Sequence, residues 1–119
     1  MQKFLRGFGY AFAGIGYVLK TQLNFKVHCL AMAFVILLGW YFKLSTQEWL
    51  WIAMVCGFVL ASELFNTGIE VLVDLVSPEI HPKAKIIKDV SAAAVLIAAV
   101  TAIVVGLLIF MPKIIAYAS

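Results

Sequence analysis

One segment of the chain gathers side chains able to do chemistry: Glu63-Leu-Phe-Asn66-Thr67-Gly-Ile-Glu70-Val-Leu-Val-Asp74. Counted from Glu63, its other polar positions fall at offsets 3, 4, 7 and 11. At about 100° per residue these occupy an arc of roughly 100° on one helix. Three carboxylates, an amide and a hydroxyl therefore share a face. Three acids side by side repel, so cations belong beside them, and Lys83, Lys85 and Lys88 follow in the next segment with Asp89. Carboxylates with lysines suit phosphoryl transfer. Carboxylates hold Mg²⁺ on phosphate oxygens, a lysine neutralises the transferring group, and one further carboxylate accepts the proton of an attacking hydroxyl. The same parts also suit a cation or proton pathway, and composition does not separate the two. There is no Walker A sequence. Gly7-Phe-Gly9 and Gly14-Ile-Gly16 lack the third glycine of a dinucleotide fingerprint and follow no strand.

The elements that must carry this stripe are membrane helices. Of 119 residues, 65% are hydrophobic and 13% charged, against about 45–50% and about 25% in soluble domains. A core of this size cannot hide so much apolar surface from water. The reading is an all-α integral membrane protein of one domain. Uncharged runs place three transmembrane helices at about 24–43, 47–76 and 82–112. The second outruns the ~30 Å hydrocarbon core at 1.5 Å per residue, so its polar end reaches the membrane–water interface. Ser45 and Thr46 are N-cap candidates for it. Pro78 and Pro82 break the chain behind it, and Pro112 falls near the end of the third helix. In about 1–22, Phe4, Phe8, Phe12, Ile15 and Leu19 recur at helical spacing among Lys3, Arg6 and Lys20. That predicts an N-terminal amphipathic surface helix.

The net charge of +3 is thin for nucleic acid, and no basic patch supports such a partner. Three spans put Lys3, Arg6, Lys20, Lys26, Lys83, Lys85 and Lys88 on one side, and Lys43 and Lys113 on the other. Seven against two sets the N-terminus and the stripe's polar end in the cytoplasm. Trp40, Tyr41, Trp49 and Trp51 read as an aromatic belt at the outer interface. Cys29 and Cys56 read as small hydrophobes. His28 and His81 read as polar packing or interface residues, and the small run Ser91 to Ala94 as a close helix-packing surface.

The stripe, followed by Lys88-Asp89-Val-Ser-Ala-Ala-Ala-Val95, resembles the signature of the prokaryotic diacylglycerol kinase/undecaprenol kinase family: E-x-x-N-T-A-I-E-x-x-V-D, then A-K-D and a small-residue run. The similarity covers nearly the whole chain. Asn24-Phe25-Lys26-Val27-His28 and Ser77-Pro78-Glu79-Ile80-His81-Pro82 resemble the undecaprenol kinase branch. The resemblance implies a homotrimer in the bacterial plasma membrane. It also implies phosphorylation of a lipid alcohol by ATP with Mg²⁺ at the cytoplasmic face, with undecaprenol favoured over diacylglycerol. By motif match, Glu63 would be the general base, and Asn66 would help hold the reacting groups. Glu70 would bind metal, Lys88 would contact the ATP phosphates, and Asp89 would orient that lysine or the nucleotide. Asp74 and Lys85 would be supporting residues. Asp74 otherwise caps the stripe near water, and Lys83 and Lys85 otherwise anchor headgroups.

Three positions depart from the pattern. Gln22 stands where the family commonly has a metal-binding Glu, and a neutral amide holds Mg²⁺ more weakly. Gly68 replaces an Ala, a mild change. Ile87 replaces a small residue before Lys88-Asp89 and crowds the phosphate side. Two other readings remain: a small multidrug-type transporter exchanging protons for cations through a membrane glutamate, and a non-catalytic assembly subunit.

Overall fold

The computed structural model describes all residues, 1–119. It is entirely helical: α1 (Gln2–Thr21), α2 (Leu23–Tyr41), α3 (Thr46–Val76) and α4 (Pro82–Ala118). The last three are long and apolar enough to cross a membrane. The whole chain, α1 included, measures 57 × 43 × 21 Å. Large apolar side chains such as Phe34, Leu37, Phe58, Leu96, Ile103 and Leu108 face outward. That is the distribution expected where the surroundings are lipid tails, since their burial against protein gains little there.

Local signals set the helix ends. Ser45 opens α3 with a capping box: its Oγ accepts the Glu48 N–H at 3.2 Å, and Glu48 Oε1 accepts the Ser45 N–H at 3.0 Å. His81 caps α4, its Nδ1 accepting the Lys83 N–H at 3.0 Å, with Pro82 in the first turn. The turn between α2 and α3 holds Lys43 at φ 54°, the left-handed region. The two helices then meet closely. A Cβ on Gly39 would lie 2.5 Å from the Trp49 ring and 3.0 Å from Leu44 Cδ1, so only glycine fits.

α3 is the central element. α4 runs antiparallel to it along most of its length, while α2 and α1 touch it more sparsely. Ion pairs close both ends of the α3–α4 hairpin: Glu48 Oε2 with Lys113 Nζ at 3.1 Å at one end, and Asp74 with Lys88 at the other. A small core of Leu44, Ile52 and Phe110 sits near the α2–α3 turn, backed by Phe42 and Trp49. There α2 reaches α4 through aromatic contacts, with Phe42 edge-on to Phe110 and Tyr117.

The third long helix departs from its expected end. It runs past Pro112 to Ala118. Proline removes one N–H and crowds the preceding turn, but the last turns are held from outside by the Lys113–Glu48 pair and by Tyr117 against Tyr41 and Phe42. The first helix and α2 are parted by one residue, Gln22, which is extended (φ −111°, ψ 110°).

Candidate active site

The polar stripe of α3 turns inward at its middle and outward towards its end. Glu63 and Thr67 are both 2% exposed, Asn66 and Glu70 are half-buried, and Asp74 is exposed. The gradient follows from the offsets. Glu63 and Thr67 are one turn apart on the side facing the other helices, and Asp74 keeps that face but lies in the last turn of α3, where less of the bundle covers it. Thr67 Oγ1 donates to the Glu63 carbonyl at 3.0 Å, which satisfies a hydroxyl that would otherwise be stranded.

Glu63 meets α2. Its Oε1 lies 3.2 Å from His28 Nε2, with the glutamate side chain 3% and the histidine 26% exposed. That contact is not aligned as a hydrogen bond, and Oε1 is wholly buried with no hydrogen-bond partner. A buried carboxylate oxygen left open is costly unless something completes it. It is the arrangement a proton acceptor needs. His28, read from sequence as a packing or interface residue, is therefore in contact with the central acid of the stripe. The signal available was chemical: a histidine inside an apolar run needs a polar partner.

Asn66 joins α3 to α4. Its Oδ1 accepts the Ser91 hydroxyl at 2.7 Å, and its Nδ2 donates to Glu70 Oε1 at 3.3 Å. One arm of the amide is thus anchored on α4 while the other holds Glu70. Ser91, read as part of a packing surface, is buried and carries a hydrogen bond. It lies three residues after Lys88, on the same face of α4.

Of the two expected roles for Asp89, orienting Lys88 or the nucleotide, the lysine pairing does not match the first. Lys88 bonds to Asp74 across the hairpin, and Asp89 bonds to Lys85 one turn earlier on its own helix. Neighbouring residues on a helix point about 100° apart, so Lys88 faces α3 while Asp89 faces away. Gln22 meets none of the acids. Its amide donates to Thr21 Oγ1 at 3.5 Å.

For a divalent cation the donor set is sparse. No group of three or more His, Cys, Asp or Glu converges, and Glu70, held by Asn66, is a half-buried carboxylate. Mg²⁺ commonly uses one or two protein carboxylates, with substrate phosphates and water filling its octahedron. The residues fit an ion brought in with a nucleotide rather than one caged by protein. On the apolar side, a groove of about 400 Å³ runs between α2, α3 and α4. His28 lies at one end of it and Phe110 at the other.

Residues 9–110 match the model of the family described as prokaryotic diacylglycerol kinase. Undecaprenol kinase of Bacillus subtilis is 40% identical over 113 residues, which is 95% of this chain and 92% of that protein. Diacylglycerol kinase of Synechocystis is 38% identical over 91% of this chain and 62% of its own length. Diacylglycerol kinase of Pseudomonas aeruginosa is 32% identical over 82% of this chain and 80% of that protein. The chain belongs to the prokaryotic diacylglycerol kinase family and is a lipid kinase, a phosphotransferase acting on a hydroxyl group.

Proposed function

We propose that the enzyme transfers the γ-phosphate of ATP to the hydroxyl of a membrane lipid alcohol, with undecaprenol favoured and diacylglycerol a second acceptor. One observation carries the mechanism: a carboxylate that is 2% exposed, with an open oxygen, lies 3.2 Å from His28, which lines the end of an apolar groove, and one turn from a polar row shared by α3 and α4. Glu63 is the general base. It takes the proton of the acceptor hydroxyl as that oxygen bonds to the γ-phosphorus, and the bond from the γ-phosphorus to the bridging oxygen breaks to release ADP. Lys88, partnered at rest by Asp74, exchanges that carboxylate for phosphate oxygens when nucleotide binds. Glu70, oriented by Asn66, would hold Mg²⁺ with the nucleotide, and Gln22 contributes at most a neutral amide. Bound there, Mg²⁺ supplies charge neutralisation on the phosphate oxygens. Asp89 and Lys85, exposed together beside Lys88, belong to the nucleotide side in a supporting role.

The undecaprenol preference rests on the 40% identity with the undecaprenol kinase of B. subtilis. By the lysine and arginine asymmetry the N-terminus and the site face the cytoplasm, α1 lies on that membrane surface, and the membrane is the bacterial inner one. The assembly is a homotrimer whose neighbours cover the open side of Glu70 and Asp74. Membership in a kinase family leaves the transporter and assembly-subunit readings without support.

The test is transfer of labelled γ-phosphate by purified protein in detergent, with undecaprenol and diacylglycerol offered side by side. Phosphorylation of both, faster with undecaprenol, is the expected result. Equal or reversed rates would remove the stated preference, and transfer to neither lipid would remove the acceptor assignment.

A further inference from the structure

His28 is in polar contact with the carboxylate of Glu63. Its Nε2 is 3.2 Å from Glu63 Oε1, an oxygen with no hydrogen-bond partner of its own. Glu63 is otherwise fixed only through its backbone, whose carbonyl accepts from Thr67. The carboxylate head thus has one group within reach to define its rotation. His28 comes from a different helix, so its ring also ties α2 to α3 at the depth of the base. It holds a second position as well. Of the 16 residues lining the apolar groove 14 are hydrophobic, and His28 is the one basic side chain among them. Ala31, Met32 and Val35 continue from it along α2, with Val59 of α3 and Ala99 of α4 opposite. An apolar chain lying in that groove with its hydroxyl at the His28 end brings that hydroxyl close to Glu63.

We propose that His28 is a positioning residue for Glu63. Its Nε2–H donates to Oε1 when substrate is bound, and this fixes the carboxylate so that its other oxygen, Oε2, meets the lipid hydroxyl arriving from the groove. The inference rests on the reading of Glu63 as general base and adds the partner that aims it. A carboxylate free to swing about its last torsions spends little time in a reacting geometry. Small losses of alignment are costly to the chemical step while leaving nucleotide binding untouched. The structural alternative is that His28 only fills space and softens a buried acid. In that case any shape-matched side chain serves, and losses appear in stability rather than in turnover.

The experiment compares His28→Leu with His28→Gln in the full chain in detergent, measuring kcat and KM for ATP and for undecaprenol together with the melting midpoint. Gln keeps an N–H donor of similar reach, whereas Leu keeps bulk alone. We expect His28→Leu to lose roughly 10²-fold in kcat, the size of one removed, well-aimed donor, with KM for ATP within twofold of wild type. His28→Gln should recover all but about tenfold of that activity. In a Glu63→Asp background, whose shorter arm takes the carboxylate out of reach of Nε2, His28→Leu should cost no more than a further twofold, because residues acting as a unit are not additive. Full turnover in His28→Leu overturns the proposal, as does equal loss in the Leu and Gln variants, or a change confined to KM for ATP. If His28→Leu does not fold, the Gln variant still decides: kcat within tenfold of wild type supports the donor role, and a loss as deep as that of Glu63→Gln overturns it. Failure of the kinase reading looks different. There the wild-type protein itself transfers no phosphate to either lipid, and the role of His28 falls with it.

Discussion

Exchanging the Glu63 carboxylate for an amide changes one atom and removes the proton acceptor. Glu63→Gln should cut phosphate transfer to undecaprenol by about 10²–10⁴-fold while the melting midpoint stays at or above wild type, because a buried acid without a hydrogen-bond partner is itself destabilising. Single-turnover transfer with labelled ATP checks the first part, and thermal unfolding in detergent the second. The lysine side carries a different expectation. Lys88→Ala should raise KM for ATP at least tenfold, since a charge-assisted contact to phosphate is lost. Asp74→Asn should change KM for ATP less, because Asp74 partners Lys88 without touching nucleotide. An Asp74→Asn effect on KM as large as that of Lys88→Ala would place Asp74 on the nucleotide itself.

At this scale the sequence exposed some of the site and hid the rest. Glu63, Asn66, Thr67, Glu70 and Asp74 are legible because one helix's period fixes their common face. Contacts between helices are not written in any period. His28–Glu63, Ser91–Asn66 and Lys88–Asp74 each join residues far apart in the chain, and their pairing depends on how the helices rotate about their axes. The pairing of Asp89 was open to local geometry, since Lys85 stands four residues before it.

Among the elements, the α2–α3 hairpin has the narrowest tolerance. Gly39 is buried against Trp49, and an added methyl would meet that ring at 2.5 Å. Gly39→Ala should therefore cost about 1–3 kcal/mol by overpacking, read as a lowered unfolding midpoint, even though alanine is the better helix former by about 1 kcal/mol. No change in midpoint would mean that Trp49 turns aside without loss. The starts of α3 and α4 were legible because Ser45 and Pro82 act through their own backbone neighbours, whereas His81, read from sequence as a packing or interface residue, is the α4 cap. The end of α4 was not. Pro112 marks a break by local rules, and the helix passes through it because Glu48, Tyr41 and Phe42 hold the following turns from other elements. Glu48→Ala removes both half of the α3 capping box and the Lys113 partner. It should cost about 1–2 kcal/mol and raise amide exchange in the α4 turns beyond Pro112 before it does so elsewhere.

For the whole molecule, the proposed trimer offers a test of whether one chain suffices. Glu63→Gln chains and Lys88→Ala chains, each impaired at an ATP concentration near the wild-type KM, should regain part of the wild-type rate when mixed, because a site completed by a neighbour can draw its base from one chain and its lysine from the other. A mixture no faster than its components would assign each site to a single chain. The single chain already explains why completion by a neighbour is attractive. The whole chain is 21 Å thick with the Asp74–Lys88 side exposed, and three helices give a triphosphate few walls.

The two salt links of the α3–α4 hairpin sit at opposite ends of it, and this constrains how nucleotide can be admitted. Sliding one helix past the other by a full turn, about 5.4 Å, would tear both links at once. Opening only the Asp74–Lys88 link leaves Glu48–Lys113 as a fulcrum, and the helices then part like scissor blades. The opening lies beside Lys88, within the slack of the connecting residues 77–81, and vanishes near Lys113. On the proposed role of Lys88, entry of the triphosphate would loosen that end of the blades while the aromatic end, with its grip on α2, stays shut.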